Sequence, residues 1–418
     1  MQGMDYIALA IPVFFLLIGI EILAARRQHR KLYRLNDALN DLSCGILQQV
    51  LGAFTKVIVF GVYVALYEYR HLLEIGHGSA AAWVACFLGV DLAYYWFHRI
   101  SHESNLPWGA HIVHHQSEEY NLAVALRQGA FQPLFSWIFY LPLAWLGFPP
   151  LMFLTCSSFN TLYQFWIHTR TIGKLGVLEW FLNTPSHHRV HHGCNDKYLD
   201  KNYAGVFIIW DRMFGSFQAE EEEPTYGITK PLRSWNPLWA NVHYYADLWR
   251  LARRAPSWRE KLKVWLMPPA WKPEWAPEGP GARPPVSPLS HGEAGKYDAV
   301  APPGLVAYAV VHFASLIAAT VLLLFLGDAL ATWAKAAIAV WIAWTAAGVG
   351  AVFERRPWLL LSELARLAAT ALLAVALLRH GGPRTVVLAT LAGAAFFSLC
   401  ATWLLRHRQA FTAPAERS

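Results

Sequence analysis

Seven apolar runs, each long enough to cross a bilayer as a helix, constrain this 418-residue chain more than any other feature. They fall at roughly 6–25, 43–67, 80–98, 305–327, 329–352, 358–379 and 385–405, where about 20 apolar residues make a span. A further apolar stretch, 131–168, is broken by Gly147-Phe148-Pro149-Pro150 and reads as a hairpin of two helices. The reading is therefore nine segments and an all-α, polytopic membrane fold. Composition agrees. The chain is 55% hydrophobic and only 15% charged, against about 25% charge in a soluble domain.

The net charge of +7 does not imply nucleic acid. Its basic residues lie in short clusters beside apolar runs, such as Arg26-Arg27-Gln28-His29-Arg30-Lys31, as cytoplasmic loops do. That cluster puts the loop after the first run inside and the N-terminus outside. Alternation then places 99–130 and 169–304 on the cytoplasmic side. The first run has no basic leader and ends in charges, so it reads as a retained helix rather than a signal peptide. The five cysteines show no CxxC and no regular spacing, so no disulfide framework is implied.

Between Met267 and Pro303 the chain carries ten prolines and no sustained periodicity, the composition of an extended linker. It divides a catalytic unit (1–266) from a C-terminal four-helix unit (304–407) and a tail (408–418). The polar residues inside the C-terminal spans are few: His312, Glu363 and Arg366. This unit reads as a scaffold or a wall for lipid access.

Ten of the 18 histidines lie between residues 98 and 192. His98 and His102 form HxxxH; His111, His114 and His115 form HxxHH, as do His188, His191 and His192. Positions i, i+3 and i+4 share a helix face, so each motif is expected to aim its imidazoles at one point. His98 and His168 close apolar runs at the cytoplasmic end, and the other motifs lie in cytoplasmic segments. All four stretches should therefore meet in a cytoplasmic helical cap. A catalytic zinc ion takes three protein ligands and a structural one takes four. Eight or nine imidazoles are too many for one ion and fit two, which leaves iron and zinc open.

The chain resembles the fatty acid hydroxylase/sterol desaturase superfamily, and within it the alkylglycerol monooxygenases. The likeness rests on the three histidine motifs in this order. It also rests on HRISHE (98–103), HHQSEEYNLAVALRQ (114–128), YQFWIHT (163–169), LNTPSHHRVHHG (182–193) and DKNYAGVFIIWDRMFGSF (200–217), and spans roughly residues 85–245. The resemblance implies a di-iron site ligated by His98, His102, His111, His114, His115, His188, His191 and His192. His168 matches a further histidine between the motifs; where some relatives carry another four residues later, this chain has Ile172. It also implies dioxygen as co-substrate, a membrane lipid as substrate and an external electron donor, tetrahydrobiopterin in that family. The reaction implied is hydroxylation of the ether-linked carbon of an alkylglycerol. Sterol, hopanoid or fatty acyl hydroxylation or desaturation is the alternative, since the histidines set the metal and not the pocket. A histidine-relay metal transporter would place its histidines inside the spans, which this chain mostly does not.

Two carboxylates join the expected catalytic set. Asp91 lies two helical turns before His98 within a span, where a charge is costly without a task, and reads as a partner of the metal-bound imidazoles. Glu103, after His102, reads as a ligand-orienting group or a reductant contact. His187 points about 100° away from His188 and is read as a supporting or exposed residue, and His243 as unrelated to the metals. Asp200, Asn202, Tyr203, Asp211 and Arg212 should brace the cap, whereas the acidic run Glu220–Glu223 reads as a solvated loop.

Overall fold

The structure is a computed structural model that describes residues 6–277, 295–380 and 382–411. Residues 278–294 of the expected linker and 412–418 of the expected tail lie outside the described residues. Among the described residues there is no strand. Extended pairing is limited to the isolated bridges Leu182–Phe207 and Gly193–Tyr226. Seven helices among the described residues are long and apolar enough to span a bilayer. They are α1 (Tyr6–Arg27), α2 (Leu35–Arg70), α3 (Ala80–Glu103) and four near the C-terminus. The protein is an integral, multi-pass membrane protein.

The chain forms two compact units that do not follow a single cut in the sequence. One comprises Met1–Arg34, Phe54–Leu232 and Asn241–Lys296; the other Leu35–Ala53, Arg233–Ala240 and Tyr297–Ser418. Helix α2 runs through both, being 36 residues long, or about 54 Å at 1.5 Å per residue.

In the first unit α3 leads directly into α4 (Asn105–His115), with only Ser104 in extended conformation between them. The side chain of Asn105 fixes the corner by donating to Val264 O (2.9 Å) and accepting from Tyr244 Oη (2.5 Å). The expected hairpin is present, but its first arm is three short pieces, 133–136, 137–140 and 141–146. Gly147 turns the chain at φ +106°, where a Cβ would meet Leu73 O at 1.9 Å, so only glycine fits. Pro150 then opens α5 (Pro150–Trp166). At 17 residues α5 reaches about 26 Å, less than the roughly 30 Å hydrocarbon core. The nine-segment expectation therefore resolves into seven spans and a short hairpin. Helix α6 (Pro185–His191) follows, then α7 (Pro237–Arg254) and α8 (Trp258–Leu266). Its largest apolar cluster packs Tyr63, Cys86, Val90, Leu143, Met152 and Phe153 together. All five cysteines of the chain are buried and unbridged.

The second unit packs α9 (Pro303–Leu326), α10 (Thr332–Phe353), α11 (Leu359–His380) and α12 (Arg384–Arg406) around Leu305, Leu316, Ile342, Leu359 and Leu404. Leu35–Ala53 and Arg233–Ala240 join it through polar contacts. Asn36 Nδ2 reaches Asp298 Oδ1 (2.7 Å), Asn40 Nδ2 reaches Trp235 O (2.6 Å), and the Glu354 carboxylate accepts from Trp235 N (2.5 Å).

Candidate metal centre

Nine buried imidazoles form two adjacent groups. His98, His102, His111, His115 and His191 bring one donor nitrogen each within 4.8 Å of one another, and His114, His168, His188 and His192 do the same. The grouping corrects the expectation that each motif converges on a single point. His111 and His115 share one group while His114 turns to the other, and His188 and His192 share one while His191 turns to the other. The reason is helical geometry: at 100° per residue, i and i+4 lie about 40° apart, whereas i+3 falls about 60° to the other side. Each HxxHH therefore straddles both groups and ties them together.

The backbone around the histidines sets their tautomers. Carbonyl oxygens only accept, so a ring nitrogen facing one must carry the proton. Nδ1 of His98 donates to Tyr203 O (2.7 Å), that of His114 to Arg127 O (2.8 Å), and that of His168 to Gln164 O (2.7 Å). His191 Nδ1 donates to Lys201 O (2.9 Å), and His111 Nδ1 meets Gln132 Oε1 (2.9 Å). The Nε2 lone pairs are thereby turned inward, against each other. His98 and His111 Nε2 are 2.9 Å apart and His114 and His168 Nε2 3.2 Å apart. His102, His191 and His192 each leave a buried Nε2 with no hydrogen-bond partner.

Two facing lone pairs repel unless a cation lies between them. With metal–imidazole bonds of about 2.1 Å, ligands at right angles sit about 3.0 Å apart, which is the spacing seen here. Desolvation, reinforced by neighbouring imidazoles, holds His114, His115, His188, His191 and His192 well below the ordinary histidine value. Burial lowers His111 to about 3 and His168 to about 4. All are neutral at physiological pH, the form that ligates metal. The donor set fits two cations.

The other residues weighed for the site lie outside the two groups. Asp91 touches no imidazole. Its carboxylate accepts from Val206 N (2.8 Å), Phe207 N (2.9 Å), Trp210 Nε1 (2.9 Å) and Asn160 Nδ2 (2.6 Å). It thus holds the segment whose Tyr203 carbonyl orients His98. Asp211 holds the same segment from its other side, accepting from Tyr203 N (2.8 Å) and Ala204 N (2.9 Å), and burial pushes it up to about 6. Glu103 pairs with Arg99 (2.9 Å) on the rim of an open hollow of about 230 Å³ that also reaches His102, Asp200 and Tyr203. His187 is buried edge-on against Phe217 (5.5 Å) and belongs to neither group. His243 approaches Gln116 Nε2 (3.4 Å) and also lies outside both.

The acidic run is only partly solvated. Glu220 forms a bidentate pair with Arg189 of α6 (2.7 and 2.7 Å) and is nearly buried. The same guanidinium donates to Thr169 O (3.0 Å) beside His168. Residues that the motifs do not reveal complete the site. Gln132 orients His111, and Gly129, whose Cβ would meet Ala110 O at 1.8 Å, lets the 127–130 segment lie on α4. Glu21 of α1 accepts from Leu122 N (2.8 Å) and from the Thr169 hydroxyl.

Comparison with known proteins agrees in kind with this site. The fatty acid hydroxylase family model matches residues 83–216. Alkylglycerol monooxygenase of Xenopus tropicalis is 38% identical over 367 residues, covering 87% of this chain and 80% of that protein. The human protein of that name is 44% identical over 270 residues, 64% of this chain and 60% of its own length. Human lathosterol oxidase is 30% identical over 132 residues, 31% of this chain. No solved structure matches.

Proposed function

We propose that this chain, which belongs to the alkylglycerol monooxygenase family, binds two iron ions and hydroxylates the ether-linked carbon of an alkylglycerol. It is a membrane monooxygenase of the fatty acid hydroxylase class, and its substrate is a lipid. The observation that carries the two-ion reading is the pair of inward-facing imidazole sets, whose Nε2 atoms face one another. Ether lipid is preferred over sterol because the alkylglycerol monooxygenase match runs through 87% of the chain and the lathosterol oxidase match through 31%.

One iron would be held by His98, His102, His111, His115 and His191, the other by His114, His168, His188 and His192. Bound iron would supply the reductive activation of dioxygen and the oxidation of an unactivated C–H. One oxygen atom enters the C–H bond; the other leaves as water, using two electrons and two protons from an external donor. The product hemiacetal breaks its C–O bond to give an aldehyde and glycerol. The chain's own part is to fix the Nε2 of His98, His111, His114, His168 and His191 through a carbonyl on Nδ1, and to keep water from the buried site. The hollow beside His102, rimmed by Glu103 and Arg99, supports access for the donor, with tetrahydrobiopterin as the family's choice. The basic loop after α1 supports a cytoplasmic location for this face.

The test is metal analysis by plasma mass spectrometry of detergent-purified protein and its His191→Ala variant, with fatty aldehyde release from an alkylglycerol. About two irons per chain, lost in the variant together with aldehyde formation, is the expected result. Zinc without iron after growth in iron-rich medium would overturn the reading.

A further inference from the structure

An apolar surface outside the seven spans sits next to the metal centre. Val177 (72% exposed), Trp180 (68%), Met213 (67%), Phe181 (61%) and Leu178 (49%) all point outward. The two segments that carry them, 176–182 and 206–213, are stitched together. Leu182 bridges to Phe207, Ile208 N donates to Phe181 O (3.0 Å), and Asn183 N donates to Val206 O (2.7 Å). Single exposed apolar residues need no explanation, but a continuous patch of large ones does.

The segment that carries Met213 packs along a spanning helix. Phe207 packs edge-on against Phe87 (6.0 Å) and Phe214 against Trp96 (5.0 Å), both on the spanning helix α3. The segment therefore runs beside about 13 Å of that span. Non-helical backbone at that level is tolerated only where the protein satisfies it. Asp91 does so, taking the amide hydrogens of Val206 and Phe207. Glu179, the one charged residue between Leu175 and Leu182, is turned away from the patch. Its carboxylate accepts from Leu175 N (3.0 Å), Thr184 Oγ1 (3.0 Å) and Ser186 Oγ (2.6 Å). The exposed cations Lys174 and Arg212 flank the apolar residues, as basic groups do at a lipid interface.

We propose that 176–182 together with Met213 form a lip immersed in the bilayer, where the alkyl chain of the lipid substrate leaves its leaflet for the metal centre. Helix α6 begins at Pro185, three residues beyond the lip, and delivers one histidine to each group, His188 and His191. Immersion stands on the exposure of these residues and the packing of that segment along a spanning helix alone. Its use as an entrance rests on the lipid oxygenase reading.

The test uses full-length protein in phosphatidylcholine nanodiscs, with a nitroxide on Val177→Cys or, as a control, on Glu221→Cys, whose native side chain is 60% exposed in the acidic run. The native cysteines are all buried and leave the label to the new site. Val177 should collide with dioxygen in preference to a water-soluble nickel chelate, and Glu221 the reverse. A Trp180→Ser/Phe181→Ser variant should raise KM for bilayer-presented alkylglycerol about tenfold. Its kcat, iron content and KM for a detergent-dispersed short-chain ether should be unchanged. Nickel access at Val177 would overturn immersion, and an unchanged KM in iron-loaded protein would overturn the entrance. Absence of turnover in the unsubstituted protein would sink the oxygenase reading and the entrance with it, while the nitroxide result still decides immersion.

Discussion

Both units bury histidine in an apolar interior, and they neutralise it in opposite ways. In the second unit His312 sits among α9–α12 with Arg366, Glu363 and Tyr308. Arg366 donates to His312 Nδ1 (2.9 Å), to Thr345 Oγ1 (3.0 Å) and to the Glu363 carboxylate, which also accepts from Tyr308. The guanidinium lies over Phe397 at 4.7 Å. That network carries its own cation and its own anion. In the first unit, carbonyls hold the outer nitrogens of five imidazoles of the centre through side chain or backbone, and inner nitrogens face one another. One cluster sets a guanidinium against its imidazole, although His312 Nε2 is itself left without a partner; the other sets imidazole against imidazole, with three such Nε2 atoms unpartnered. The difference lies in what faces the ring: a guanidinium in one, a second imidazole in the other.

The comparison breaks most decisively at the metal centre. Replacing His114 by alanine removes an inner donor that nothing else supplies, so turnover should fall to background and iron content should drop by at least one ion per chain. Plasma mass spectrometry on the purified variant checks this; full iron and normal turnover would remove His114 from the donor set.

The next largest effect belongs to the second unit. Arg366→Met leaves the Glu363 carboxylate buried without its partner, which should cost about 3–5 kcal/mol. Replacing both, as Glu363→Leu/Arg366→Met, should recover most of that loss, because an apolar pair of similar volume needs no compensation. Thermal unfolding in detergent measures both, and iron content should stay at the unsubstituted level. If the single variant lost its iron without losing stability, the two clusters would not be independent in the way described.

Smaller effects test the carbonyl rule within the centre. Gln132→Leu strips His111 Nδ1 of its acceptor and should weaken metal binding about 10–100-fold, read by competition with a chelator. Asp200→Asn alters a 3.5 Å contact to His102 from a half-exposed carboxylate and should change chelator competition by less than about 1 kcal/mol. A reversal of that order would mean that carboxylates, and not the oriented amide and carbonyl oxygens, tune this centre.

Much of this was legible in the chain itself. Hydropathy runs fixed the membrane class and the seven spans, because an apolar stretch in lipid has few alternatives to a helix. The histidine spacings announced clustered imidazoles, because helical periodicity is local and survives any packing. The His312, Glu363 and Arg366 exceptions in the apolar C-terminal helices were visible for the same reason.

Only tertiary structure decided how the imidazoles divide. Whether His114 joins His111 or turns away depends on which helix lies across from it. The carbonyls that set the tautomers carry no signature, since every residue has one and only proximity selects Tyr203, Arg127, Gln164 and Lys201. Asp91 was conspicuous as a charge within a span, yet its task, holding backbone amides from residues 206 and 207, depends on a contact more than a hundred positions away. Glu220 looked like one of four solvated acids until Arg189 met it. Sequence determines what each segment can be on its own. Which lone pair faces which proton is a property of segments brought together.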